Sequence, residues 1–188
     1  MHNVYERCPV FENERFLLKQ VSHDDCQDLL KVYSDKKSVP LFNSDNCNGD
    51  DFYYTTEERM KQAIGFWLME YEKKYYVRWS VFDKFKNEAI GTIELFNRKA
   101  EDYFTDCGLL RLDLRSDYEN EKDISCILEL IVSFAFECFF CDKIATKAIP
   151  SASERIKAMK KIGFTLSEEK VKGHDNTEYG SYHVLYRV

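Results

Sequence analysis

Several sets of side chains in this sequence could do chemistry. Glu94 falls in Ile90-Gly91-Thr92-Ile93-Glu94-Leu95, a run that reads as a β-strand, and alternation puts its carboxylate on the face opposite Ile93 and Leu95. A strand holds a base rigidly, so Glu94 is a candidate proton acceptor, with a plain solvent-facing carboxylate as the competing reading. His174, Tyr182, His183 and Tyr186 invite acid/base roles because imidazole titrates near neutral pH, although aromatics on a terminal strand usually pack. Cys138-x-x-Cys141 has the spacing of a redox or metal pair. No second Cys/His pair stands at zinc spacing and Phe139 and Phe140 lie between the thiols, which favours core packing. The acidic run from Asp45 to Asp51 would attract a cationic amine, or simply be a solvated loop.

These groups need a scaffold, and the hydrophobic periodicity outlines one. Residues 15 to 21 read as a strand. Ser22 with Asp25 is a capping arrangement for a helix whose apolar positions are Cys26, Leu29, Leu30 and Tyr33. Residues 34 to 52, rich in Asp, Asn and Ser, read as an exposed loop. Thr55-x-x-Glu58 predicts a second capped helix with Met60, Ala63, Ile64, Trp67, Leu68 and Tyr71 on one face. Strands follow at 75–82 and 89–96, joined by a polar turn, and another at 109–114, expected to be half buried with Leu110, Leu112 and Leu114 on one face. The stretch 124–140 is apolar over too wide an arc for a surface helix and must be buried. A short central strand at 143–149, a helix at 153–162 ended by Gly163, and strands at 164–170 and 181–188 complete the chain.

Composition narrows the function. The 188 residues are 44% hydrophobic and 15% aromatic, which supplies enough apolar surface for an ordered core and argues against disorder. Lys and Arg number 27 against 33 Asp and Glu, so the net charge of −6 provides no field for nucleic acid. The first residues lack the apolar segment of a secretory signal and no run approaches a membrane span, so neither membrane nor export is expected. Seven cysteines without framework spacing fit reduced thiols and a cytoplasmic location.

The order strand, helix, loop, helix, hairpin, strand, buried helix, strand, Gly-Phe-terminated helix and closing hairpin resembles the GNAT superfamily of acyl-CoA-dependent N-acetyltransferases, specifically the ribosomal-protein N-terminal acetyltransferase-like branch. The stretches that carry the likeness are Glu14-Arg15-Phe16-Leu17-Leu18-Lys19, Ile90-Gly91-Thr92-Ile93-Glu94-Leu95, Lys161-Ile162-Gly163-Phe164 and His183-Val184-Leu185-Tyr186, and together they run through nearly the whole chain. The resemblance implies one GNAT-like domain over residues 1–188, of α/β class, with a mixed, mostly antiparallel sheet of six to seven strands and helices on both faces. It implies transfer of an acetyl group from acetyl-CoA to a primary amine, on a protein N-terminus or a small molecule, by direct attack in a ternary complex without a metal. A homodimer is a further option.

Residue roles follow from the same likeness. The strand 109–114 would present Leu110, Arg111 and Leu112 to the pantetheine arm, and the amides of Asn120, Glu121, Lys122, Asp123 and Ile124 would cradle the pyrophosphate. Asp106, in Thr105-Asp106-Cys107-Gly108, stands where the family commonly has a Glu beside the incoming amine, so Asp106 and Glu94 are the candidate catalytic carboxylates; a strand-end turn residue is the alternative for Asp106. The cradle departs from the family's glycine-rich pattern, and Glu119, Glu121 and Asp123 bring carboxylates to an anion site, each costing roughly 0.7 to 3 kcal/mol at about 6 Å from a phosphate charge. Before the last helix, Ala152 and Arg155 replace the family's Asn and small residue, and Met159 replaces its Tyr. Arg115, Lys122, Arg155 and Lys157 are candidate compensating cations. A GNAT-derived binding or regulatory module that has lost the cofactor is the alternative function.

Overall fold

The helices begin and end where local chemistry dictates. The computed structural model describes residues 3–187, so Val188, the last residue of the expected terminal strand, lies outside it. Helix α1 (Cys26–Tyr33) follows a short 3-10 turn in which the Asp25 carboxylate accepts the Ser22 amide at 2.9 Å. Helix α2 (Glu57–Glu72) is capped by Thr56 rather than by Thr55, with the Thr56 hydroxyl accepting the Arg59 amide. Asn120 caps α3 (Glu121–Cys138) in the same way through the Asp123 amide. Helix α4 (Ser153–Ile162) ends at Gly163, whose φ of 107° is the left-handed geometry that glycine adopts without strain.

Ten strands accompany them: β1 (Phe11–Glu12), β2 (Phe16–Gln20), β3 (Val77–Asp83), β4 (Glu88–Arg98), β5 (Cys107–Leu114), β6 (Lys143–Lys147), β7 (Thr165–Leu166), β8 (Val171–Lys172), β9 (Glu178–Tyr179) and β10 (Tyr182–Tyr186). Eight form one sheet in the order β1-β2-β3-β4-β5-β6-β10-β7, and β8 with β9 forms a separate hairpin. All neighbours in the large sheet are antiparallel except β5 and β6. The mixed, mostly antiparallel sheet is thus as expected, with eight strands instead of six or seven. The β8–β9 hairpin and β1 carry too few residues to show a period.

One face of the sheet packs against α3 and α4 through Leu110, Leu112, Leu114, Ile124, Ile131 and Met159. The other face carries α1 and α2 over a cluster that includes Leu29, Tyr33, Ile64 and Trp67. Strand β5 is not half buried, as alternation alone suggests, but buried on both faces, because Tyr33 of α1 and Asp45 of the loop that follows it bond Asp113 and Arg111 on its polar side. That loop is likewise not an exposed one: Ser38, Phe42, Asn43, Asp45 and Phe52 are all buried. Among the described residues no helix is long and apolar enough to cross a membrane.

At Gly91 the backbone of β5 lies close against β4. A Cβ there would run into the Asp113 carbonyl oxygen and lie 2.7 Å from Leu114 Cδ2. Gly91→Ala is therefore expected to destabilise the protein by roughly 1–3 kcal/mol through overpacking, read as a lower midpoint in thermal unfolding; an unchanged midpoint would contradict this packing.

Candidate active site

The site is organised by a fork in the sheet. Strands β5 and β6 pair in parallel only at Gly108–Ile144, Leu109–Ala145 and Leu110–Thr146, then part. The Arg115 amide donates to Ile90 of β4, so alternation turns the odd-numbered backbone groups of β5 toward β4 and the even-numbered ones toward β6. Beyond Leu110, the amide and carbonyl of Leu112 face the widening gap without a strand partner. Leu112 thus stands where a ligand could extend the β5 edge, whereas the Leu110 backbone is taken by β6 and the Arg111 backbone by β4, so Arg111 offers only its side chain.

A row of charges crosses three strands beside the fork. Arg78 of β3 is opposite Glu94 of β4, and Glu94 is opposite Arg111 of β5. Both arginines bond the Glu94 carboxylate, Arg78 through Nη2 and Arg111 through Nη1 at 2.8 Å. Arg78 Nη1 also donates to the Tyr33 hydroxyl at 3.0 Å, to Thr92 at 3.2 Å and to Asp113 at 3.3 Å, while its guanidinium lies 4.2 Å from the Trp67 ring. Burial would raise the Glu94 pKa, but the guanidiniums of Arg78 and Arg111 outweigh it and hold this carboxylate below its usual range. Burial dominates at Asp113 and pushes its carboxyl up despite Arg78 and the Tyr33 hydroxyl. Glu94 is consequently neither the solvent-facing carboxylate nor the free base that the sequence allows; it is a buried, doubly paired anion.

A strap closes the fork on the α1–α2 side. The segment Leu41 to Asp45 crosses the opening, and Asp45 fastens it to both prongs: its carboxylate takes Lys147 Nζ of β6 at 2.6 and 2.7 Å, and its carbonyl takes Arg111 Nη2 of β5 at 2.9 Å. The Tyr182 hydroxyl donates to the same carboxylate at 3.0 Å and accepts from Asn43. Burial drives the Tyr182 phenol pKa well up, so this hydroxyl stays protonated at neutral pH. Alongside the strap lies a cavity of about 1120 Å³ walled by Asp45, Trp67, Tyr76, Glu94, Phe96 and Arg111, with Phe66 and Tyr75 exposed at its rim. Trp67, Tyr75 and Tyr76 line it, whereas Tyr71 packs toward Val4 and Tyr5.

The start of α3 faces the other side of the fork. Its carboxylates do not converge: Asp123 pairs with Arg15 at 2.6 Å, Glu119 pairs with Arg155, and only Glu121 has no ion-pair partner among the described residues. The amides of this turn are largely engaged by the chain itself, Asp123 by the Asn120 side chain and Glu121 by Glu154 at 3.3 Å, and Lys122 is exposed. Just upstream, the Ser116 amide donates to the Asp35 carboxylate at 2.9 Å. Burial works against that carboxylate's charge, but hydrogen bonds from Ser116, Lys37 and Ser38 prevail and lower its pKa to about 2. Arg115 pairs with Glu88 and Asp117, and Lys157 with Glu154, so the four candidate cations do not gather at one point.

Asp106 is elsewhere. It sits in an exposed turn at φ 53°, paired with Lys99, and is not part of the cavity wall. His183 and Thr146 occupy facing positions on β10 and β6 on the α3–α4 side, away from the cavity; burial depresses the His183 imidazole. Cys141 is buried and Cys138 half buried in the core, as expected. Sequence reasoning missed Arg78, Asp45 with Lys147, and Asn43. A signal existed for the first: Arg78, Glu94, Arg111 and Asp113 are charges set inside otherwise apolar strands.

Comparison with known proteins agrees with this architecture. Among solved structures, the chain superposes on the ribosomal-protein-S5-alanine acetyltransferase of Vibrio fischeri with a TM-score of 0.70 at 17% identity, covering 96% of each chain. It superposes with a TM-score of 0.68 at 12% identity on the Salmonella typhimurium acetyltransferase that modifies the N-terminal serine of ribosomal protein L7/L12, covering 96% of this chain and 100% of that one. A ribosomal L7/L12 α-N-protein acetyltransferase in complex with coenzyme A gives 0.69 at 12% identity, with 96% and 98% covered. No curated protein sequence matches. Residues 15–165 match the family model of the acetyltransferase (GNAT) domain. The forked sheet, the eight-stranded order and a match across most of the sequence place the chain in the GNAT family, as an N-acetyltransferase that uses acetyl-CoA.

Proposed function

We propose that the acceptor is the α-amine of a polypeptide, reaching the fork through the cavity beside Glu94. The observation that carries this is the cavity itself: about 1120 Å³ exceeds the roughly 300–1,000 Å³ of ordinary small-ligand pockets, and it opens at an exposed rim of Phe66 and Tyr75. One structurally similar enzyme modifies the N-terminal serine of ribosomal protein L7/L12 and another is a ribosomal L7/L12 α-N-protein acetyltransferase, which supports the same acceptor class here. Seven unpaired thiols favour a cytoplasmic setting. No observation favours a binding-only descendant.

The released β5 edge fits an acyl carrier, since Leu112 offers an amide donor and a carbonyl acceptor side by side. When bound, acetyl-CoA supplies the thioester carbon that the amine attacks. The Leu112 amide, which has no strand partner, would be this chain's donor to an oxygen gaining negative charge in the fork. Arg111, fixed between Glu94 and the Asp45 carbonyl, holds the wall between edge and cavity rigid. Glu94 is a positioning residue in this reading, because two guanidiniums keep it ionised and tied down. Asp106 takes no proton either, lying outside the cavity wall. The amine must arrive neutral: as its nitrogen bonds the acetyl carbon the thioester C–S bond would break, and the amine's proton would pass through water to the departing thiolate.

Its own ionisation should therefore govern the rate. With a peptide bearing a free α-amine, kcat/KM is expected to rise with pH and level off near about pH 8, the amine's own pKa. An Nα-blocked peptide with a lysine should be at least tenfold poorer at pH 7.5. A profile that does not move when the acceptor is changed, or a preference for lysine or polyamine, would refute the proposal.

A further inference from the structure

We propose that Arg155 is the gate of the acetyl-donor cleft, closed in the free protein and withdrawn when a diphosphate-bearing acyl carrier binds. The proposal rests on the reading of the β5–β6 fork as the donor site. Arg155 enters the gap from the first turn of α4, where its side chain is only 3% exposed. One Nη1 group donates to the Leu112 carbonyl at 2.8 Å and to the Leu41 carbonyl at 3.0 Å, while Nε and Nη2 grip the Glu119 carboxylate. One guanidinium thus joins the free β5 edge, the strap across the fork and the turn leading into α3.

Each of those bonds opposes the ligand. The Leu112 carbonyl is one of the few edge groups the fork releases, and an arm lying along β5 cannot use it while Arg155 does. The Leu41 bond keeps the strap down. Guanidinium stays protonated at any ordinary pH, so the gate cannot open by losing its charge. Opening leaves that charge without its partner unless another anion replaces Glu119, so the open form is a minor one until a phosphate presents its oxygens to the same bidentate fork. Glu119 immediately precedes the Asn120 cap, so a phosphate at the α3 N-terminus would lie within reach of the guanidinium that left Glu119. Arg155 would exchange a carboxylate for a phosphate, and the ligand would open the gate it passes.

Coenzyme A binding to the full chain tests this without reference to turnover. Glu119→Gln removes the charge that holds Arg155 closed, and Arg155→Lys keeps a cation that cannot span the three segments. Because a protein held mostly closed binds with an affinity reduced by its open fraction, both variants are expected to bind coenzyme A about tenfold more tightly by calorimetry. Stopped-flow association with wild type should level off at high coenzyme A concentration, at the rate of gate opening, and keep rising linearly in Glu119→Gln. The wild-type plateau stands by itself if a variant fails to fold. Unchanged or weaker binding in both variants, or a linear wild-type rate, overturns the gate. No binding by wild type and variants alike overturns the donor-site reading, and the gate with it.

Discussion

Replacing Arg78 with methionine is expected to cost roughly 3–5 kcal/mol, lowering the thermal midpoint by roughly 6–20 °C. The side chain is almost wholly buried and joins Glu94 to the hydrogen-bonded cluster of Tyr33, Thr92 and Asp113 in the middle of the sheet. Methionine nearly fills the volume but leaves the Glu94 anion with Arg111 alone and the Asp113 carboxyl with only the Tyr33 hydroxyl. The cost is that of uncompensated buried charge, so adding Glu94→Gln to Arg78→Met should recover much of it. A midpoint within 2 °C of wild type for Arg78→Met would show that the row is not holding the sheet together.

Acid pH probes the same row with a definite sign. Glu94 has a depressed pKa in the folded chain, so its contribution is present above its unfolded pKa of about 4.3 and is lost as pH falls through the folded value. Asp113 works oppositely: its raised pKa favours the fold below its unfolded value of about 3.9, and that contribution is lost as pH rises through the folded pKa. Glu94→Gln should therefore flatten the loss of stability below about pH 4 seen in urea titrations. An unaltered acid limb would place the acid sensitivity elsewhere.

Asp45→Ala is expected to lower kcat/KM for a peptide acceptor roughly thirty- to a hundredfold, equivalent to about 2–3 kcal/mol of charge-assisted hydrogen bonding. Asp45 fastens the strap to β6 through Lys147, and its carboxylate also receives the Tyr182 hydroxyl. Without it the strap and the cavity wall it forms lose their hold on β6 while the sheet keeps its core, so the midpoint should fall much less than for Arg78→Met. Asp45→Asn keeps an acceptor for Lys147 and Tyr182 and should recover part of the rate. Faster proteolysis between residues 43 and 52 in Asp45→Ala would accompany the loss. A kcat/KM within twofold of wild type would mean that the strap does not shape the acceptor site.

The scaffold was legible because its signals are local. Gly163 ends α4, the apolar sweep of α3 announces its burial, and Met60, Ala63, Ile64 and Trp67 trace the buried face of α2 at helical spacing. The site was not, because its bonds join residues far apart in sequence. Asp45 and Lys147 are 102 residues apart and Arg155 is 43 from Leu112, and no period links either pair. Alternation correctly put Glu94 on the face opposite Ile93, but it cannot say what covers that face; α1, α2 and the strap turned an expected surface carboxylate into a buried one. Three acidic residues near the start of α3 looked like a barrier to an anion, yet Arg15 and Arg155 answer two of them from elsewhere in the chain.

In the proposed reaction donor and acceptor meet at the β5–β6 fork, with the donor arm on the Leu112 edge and the amine entering from the Glu94 cavity. A crystal structure of the coenzyme A complex tests it most directly. The pantetheine arm is expected to be hydrogen-bonded along β5 at Leu112, with the sulfur facing the cavity and Arg155 off the Leu112 carbonyl. Coenzyme A bound away from the fork, or bound with Arg155 still on Leu112, would contradict it.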